Sequence, residues 1–207
     1  DPVNTATLYA ATTAGVFKTT DGGESWLAFN SGLNDLTINA LVINPNEPAT
    51  LYAGTARGVF KTVNGATAWT AASNGLGTAS SPLAIGVLAI DPVAPATLYA
   101  AVNSATGAVL FKTTDGGANW RAADTGLATT TGGVQTRAVP AALAISTLTP
   151  ATIYAATPQG LFKSADGGGA NLHVGVLRQA DEVRQALRRG VAVVEEDEQH
   201  ACPDRHV

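Results

Sequence analysis

The chain has 207 residues, of which 45% are hydrophobic and only 14% charged. That is enough apolar material for one or two folded domains, and it excludes disorder over most of the length. The net charge of −4, with no basic patch in the first 170 residues, argues against nucleic acid as the main partner. The single cysteine, Cys202, can build neither a disulfide framework nor a cysteine-based zinc cluster. No apolar run reaches membrane-spanning length. Scarce lysine beside abundant Thr, Ala and Gly suits an exported bacterial protein, extracellular or periplasmic.

The chain opens on Asp1-Pro2, the end of a phrase that recurs intact as Ala40–Pro45 and Val87–Pro92, and in part as Ala142–Ile145. Each copy precedes a Leu-Tyr-Ala or Ile-Tyr-Ala, which starts at Leu8, Leu51, Leu98 and Ile153, at offsets of 43, 47 and 55 residues. Such a period signals a propeller or solenoid unit. A Gly-Val-Phe-Lys or near equivalent follows, ending at Lys18, Lys61, Lys112 and Lys163, which are all the lysines of the chain. Both short stretches are apolar and β-prone, bounded by Gly, Asn, Asp and Thr, so each pair predicts a β-hairpin. Apolar residues on both faces place these strands between layers. The Ala-Leu-Val-Ile phrases predict an innermost strand before each hairpin, turned by Asn/Asp-Pro. The first copy lacks that strand.

A turn comes next. Asp21, Asn64, Asp115 and Asp166 stand at the same slot in stretches of the form S/T-x-D-x-G-x-x-W, and Trp26, Trp69 and Trp120 close the first three. The Asp side chain accepts turn N–H groups, and the glycines supply positive φ. The Trp is expected to return over its own hairpin and cover it. The fourth copy breaks after Gly168, with Leu172 where Trp should stand, and is expected to lack its outer strand.

An outer strand and a Gly-Leu follow each Trp. Loops then run over 34–38, 77–81 and 128–139, the latter two rich in Thr, Ser and Gly. With the turns at 56–57, 102–108 and 158–159 they should share one face, opposite the aspartate turns. Loops on a rigid scaffold carry function, so Arg57, Asp35 and Arg137 are the candidate ligand-binding residues.

From residue 171 the pattern is lost. This tail holds all three histidines, Cys202 and twelve of the 28 charged residues. Val176, Ala180, Val183 and Leu187 make a helical stripe that Gly190 would end. A change of reading frame at the junction and a genuine C-terminal helix are both open. The spacing of His200, Cys202 and His206 fits no zinc pattern, and no motif calls for a metal or cofactor. The expected organisation is therefore residues 1–170 as repeats, incomplete at both ends, and 171–207 as an atypical charged tail.

Strand, aspartate turn and Trp recurring in phase resemble the Asp-box (BNR) repeat family of β-propellers, as in sortilin-type receptor domains, xyloglucanases, sialidases and photosystem assembly factors. The resemblance implies an all-β, partial propeller of about four blades. It also implies that Asp21, Asn64, Asp115 and Asp166, with Trp26, Trp69 and Trp120, determine the fold and lie away from any active site. A glycosidase needs two carboxylates facing one cleft. Asp35 and Asp124 permit this without diagnosing it. The sialidase pattern is weaker still: residues 1–168 offer only Arg57, Arg121 and Arg137, no Arg-Ile-Pro, and no Tyr outside the repeat strands. The residues favour a non-enzymatic binding or scaffold propeller presenting its loop face to a protein or glycan, with the missing blades of a longer propeller as a further expected partner. A fragment of a xyloglucanase-like or sialidase-like hydrolase is the alternative.

Overall fold

In the computed structural model of the chain, residues 1–78, 81–102, 109–131, 134–168 and 173–174 are described. They form antiparallel sheets only. The first sheet holds β1 (Leu8–Thr12), β2 (Gly15–Thr19) and β3 (Leu27–Ala28). The second holds β4 (Ile38–Ile43), β5 (Leu51–Thr55), β6 (Gly58–Thr62) and β7 (Thr70–Ala71). A small hairpin of β8 (Gly77–Thr78) and β9 (Ser81–Pro82) leads to the third: β10 (Ile85–Ile90), β11 (Leu98–Val102), β12 (Leu110–Thr113) and β13 (Arg121–Ala122). A second hairpin, β14 (Ala128–Thr131) with β15 (Val134–Arg137), precedes the fourth: β16 (Ala142–Ile145), β17 (Ile153–Thr157), β18 (Gly160–Ser164) and β19 (His173–Val174).

Each sheet is a meander in chain order, as alternating apolar strands joined by short polar turns dictate. The register repeats: Tyr9, Tyr52, Tyr99 and Tyr154 lie opposite Lys18, Lys61, Lys112 and Lys163. The Ala-Leu-Val-Ile strands adjoin one another, β4 against β10 and β10 against β16, and so form the inner edge of the stack. Apolar residues lie between successive sheets. Val16, Leu51, Phe60 and Trp69 fill the first junction. Tyr52, Ile85, Leu98 and Trp120 fill the second, and Tyr99, Leu110, Ile153 and Phe162 the third. Strands β5 and β11 are buried along their whole length, as strands sandwiched between layers must be.

Two expectations need correction. The stretches over 77–81 and 128–139 contain the hairpins β8–β9 and β14–β15 rather than loop alone. Their threonines read as linker composition, yet threonine is β-branched and suits a strand. The fourth sheet has an outer strand after all: His173–Val174 pairs with Lys163 and Phe162. Backbone pairing does not require the missing Trp. The helix expected over 177–189 and the His200, Cys202 and His206 cluster lie outside the described residues.

Candidate functional site

The repeated aspartate turn is held by its own side chains. Asp21 Oδ1 accepts Ser25 N at 3.0 Å, and Asp115 Oδ1 accepts Asn119 N at 2.9 Å. Thr19, Thr62, Thr113 and Ser164 donate to Asp21, Asn64, Asp115 and Asp166 at 2.5, 2.7, 2.6 and 2.6 Å. These donors stabilise the ionised form. The Asp21 carboxyl lies far below the usual range, chiefly through Ser25 and then Thr19. That of Asp115 is held down to about 2, chiefly through Thr113 and then Asn119. Asn64 keeps the geometry without charge: its Oδ1 accepts Ala68 N at 3.0 Å.

Trp69 and Trp120 pack among residues of their own hairpins, Trp69 with Leu51 and Phe60 and Trp120 with Leu98 and Phe111, and each also reaches the sheet before it. Trp69 Nε1 donates to Phe29 O of the preceding sheet at 2.9 Å, and Trp69 N to Ser31 O at 2.8 Å. Trp120 repeats this with Ala72 O and Asn74 O, both at 2.8 Å. A buried indole N–H needs an acceptor. The carbonyls just past the preceding sheet's outer strand lie beyond its ladder and supply one. The fit explains the Gly-Leu that follows each outer strand. A Cβ on Gly32 would sit 2.1 Å from Trp69 O, and one on Gly75 2.2 Å from Trp120 O.

The lysines and tyrosines work in the opposite direction. Lys18 Nζ reaches Gly65 O of the next sheet's turn at 3.2 Å, Lys61 reaches Gly116 O at 3.0 Å and Lys112 reaches Gly167 O at 3.1 Å. Tyr52 and Tyr99 hydroxyls donate to the same two later carbonyls at 3.2 and 3.0 Å. Each ammonium also lies over its cross-strand tyrosine, 5.3 Å from the ring centre for Lys18 and Lys61 and 5.4 Å for Lys112, within cation–π range. The sequence flagged the lysine slot but not its task, because the acceptor is some fifty residues away. Burial, with Asp91 and Asp166 nearby, pushes the Tyr99 hydroxyl up to about 12.

Polar clefts open beside these latches. One of ≈ 420 Å³ lies between the third and fourth sheets and is lined by Lys112, Asp115, Asn119, Arg121 and Asp166 among others. A smaller one of ≈ 220 Å³ lies between the second and third, beside Lys61, Asn74 and Asp115.

The opposite face carries the predicted ligand-binding residues. Arg57 is the second residue of the two-residue turn joining β5 to β6, and its side chain is exposed. Asp35 precedes β4 and folds back so that its Oδ1 accepts Thr37 N at 3.0 Å. Because Ile38 pairs with Thr55, Asp35 and Arg57 share one end of the second sheet. Arg137 ends β15, ahead of the fourth sheet. Asp124 is not a loop carboxylate waiting for substrate: its Oδ2 accepts Val109 N at 3.1 Å. Asn30 and Ser73 do the same for Val16 and Val59, at 2.7 and 2.9 Å. All three stand four residues after the Trp, a signal available from the sequence once the repeats are aligned. Among the described residues, no three His, Cys, Asp or Glu side chains gather as a metal would need, and no helix is long and apolar enough to cross a membrane.

No protein-family model and no curated protein matches the chain. Solved structures do. The chain is similar to an ancestral GH74 enzyme at 20% identity, with a TM-score of 0.65, over 87% of this chain and 24% of that one. It is similar to the GH74 xyloglucanase from Xanthomonas campestris at 22% identity and TM-score 0.62, over 86% and 29%. It is also similar to YCF48, solved bound to D1 peptide, at 18% identity and TM-score 0.52, over 82% and 50%. The chain thus spans between about a quarter and a half of these structures. Likeness at this level concerns the fold, and with the four stacked meanders it identifies the chain as an all-β run of β-propeller blades.

Proposed function

We propose that the chain is a non-enzymatic binding or scaffold propeller of the Asp-box kind, whose loop face meets a protein or glycan. One observation carries this reading: six of the described aspartates are already employed in backbone structure. Asp1, Asp21, Asp35, Asp91, Asp115 and Asp124 each accept a main-chain N–H. Asp35 and Asp124, the pair that a glycosidase would need, are both among them. Arg57 is then the best-placed contact, an exposed guanidinium on a two-residue turn, with Asp35 at the same end of its sheet and Arg137 as a third contact from the next connection. Peptide binding by YCF48 makes a protein ligand plausible for a propeller of this kind. An exported location fits the composition. Likeness to GH74 enzymes keeps the hydrolase fragment as the alternative. The test is to offer the purified chain xyloglucan oligosaccharides and a peptide library. Binding without turnover, weakened by Arg57→Ala, supports the proposal. Glycan hydrolysis that Asp35→Asn abolishes overturns it.

A further inference from the structure

In the third sheet two cations face each other across adjacent strands. Arg121 of β13 lies directly opposite Lys112 of β12. Residues paired in this way share one face of the sheet, with Cβ atoms about 5 Å apart, and like charges there are destabilising. In the sister sheets the lysine is opposite Leu27, Thr70 or His173. The fold does not call for the arginine, since β7 makes the same outer strand with Thr70.

The cleft in front of this pair is wider than its equivalent one sheet earlier. Lys61, Thr70 and Gly116 line a cleft of ≈ 220 Å³. Their counterparts Lys112, Arg121 and Gly167 line one of ≈ 420 Å³, within the range of about 300–1,000 Å³ that small-molecule sites occupy.

Four charged groups line the wider cleft: Lys112, Arg121, Asp115 and Asp166. Lys112 Nζ gives a bond to Gly167 O at 3.1 Å, and an ammonium carries further N–H donors. Arg121 is exposed, and a guanidinium offers paired donors that match a carboxylate. The two aspartates are tied to their own turns. Asp115 accepts Thr113 Oγ1, Asn119 N and Asn119 Nδ2, and Asp166 accepts Ser164 Oγ. These donors hold Asp115 in the ionised form, which can only accept.

These groups narrow the ligand. One negative charge between Lys112 and Arg121 relieves their repulsion and gains charge-assisted hydrogen bonds. A second would meet Asp115 and Asp166, which disfavours an acidic peptide. The rest of the polar lining, including Thr114 and Asn119, suits hydroxyl groups. A uronic acid combines one carboxylate with a ring of hydroxyls. We propose that this cleft binds a single uronate residue of an otherwise neutral glycan, its carboxylate between Lys112 and Arg121 and its hydroxyls towards Asp115 and Asp166. The cleft lies beside the aspartate turns, opposite the Arg57 face, so the two readings stand or fall separately.

The probe is an aldotetraouronic acid, one glucuronate carried on xylotriose, with xylotriose itself as the neutral control. Titration calorimetry on the full chain measures binding, and amide NMR shifts locate it. The acid is expected to shift Arg121, Ala123 and Gly167 and to leave Thr70 and Gly116 unmoved. Xylotriose should bind about 10-fold more weakly or worse. Arg121→Thr, which copies Thr70, should weaken the acid about 10-fold while the urea midpoint of the free chain holds or rises. Arg57→Ala should leave binding of the acid unchanged. Absence of binding, equal binding of xylotriose, or undiminished binding by Arg121→Thr overturns the proposal. So do shifts confined to another surface, or tighter binding of tetraglutamate, which would make this a site for acidic peptide. A lower urea midpoint for Arg121→Thr also overturns it, since the arginine would then serve the fold.

Discussion

Trp26 and Trp120 occupy the same slot of the same turn, yet Trp26 is 40% exposed and Trp120 only 4%. Trp120 spans the junction between the second and third sheets and donates to Ala72 O. Among the described residues no sheet packs against Trp26 from that side, and it donates to Gly23 O of its own turn, at 3.2 Å. The turn itself is the same at both places, with Asp21 and Asp115 accepting equivalent amides. Local hydrogen bonding therefore builds the turn, and stacking decides what the Trp contributes. A blade of this kind is a locally specified unit whose stability resides in its junctions.

The largest way to break the comparison is Trp120→Ala. Removing a buried Trp costs about 3–5 kcal/mol. Trp26→Ala, at the exposed edge, should cost about 1 kcal/mol or less. Urea unfolding of both variants checks the difference, and equal losses would refute the junction argument. Gly75→Ala comes next, because its Cβ would strike Trp120 O at 2.2 Å in a positive-φ backbone. A loss of about 3 kcal/mol is expected. Gly22→Ala meets nothing within 4 Å, so only its positive φ opposes it, at roughly 1 kcal/mol. Lys61→Met removes one of the two donors to Gly116 O and the charge over Tyr52. The remaining tyrosine hydroxyl keeps the carbonyl bonded, so about 1 kcal/mol should be lost, readable as a shift in the urea midpoint.

Smaller effects sharpen the account of the turns. Asp115 titrates near 2 in the folded chain against an ordinary 3.8. Its contribution is complete above the unfolded value and is lost as pH falls from about 4 towards 2. Asp115→Asn, which copies Asn64, should flatten that part of the stability–pH curve. Tyr99 has the opposite sign. With its hydroxyl raised from 10.0 to about 12, stability is complete below pH 10 and falls as pH rises from there towards 12. Tyr99→Phe should abolish that alkaline loss. Ala66 is the single non-glycine residue at positive φ among those described, and it is fully buried. Ala66→Gly relieves about 1 kcal/mol of backbone strain and gives up a buried methyl of similar worth, about 0.8 kcal/mol. The midpoint should hardly move.

Much of the fold was legible in the residues because the relevant bonds are short in sequence. Two-residue turns, alternating apolar strands and an aspartate within five residues of the amides it accepts are all set inside a window of ten. The candidate site was legible only in outline. Arg57 could be placed on its turn by counting from Leu51, whereas nothing beside Asp124 in the sequence names Val109, fifteen residues earlier, as the donor it accepts. The threonines of 128–131 pointed to a loop because their composition does not name a partner strand.

The sequence by itself determined the repeat, the hairpins and the chemistry of each turn, since these depend on local backbone preference and on side chains that bond their own neighbours. The tertiary structure alone decided which sheet each Trp docks against and which carbonyl each lysine reaches. It also decided that His173 and Val174 form an outer strand. Those outcomes depend on donors and acceptors brought together across junctions some fifty residues apart, where spacing along the chain carries no record of distance in space.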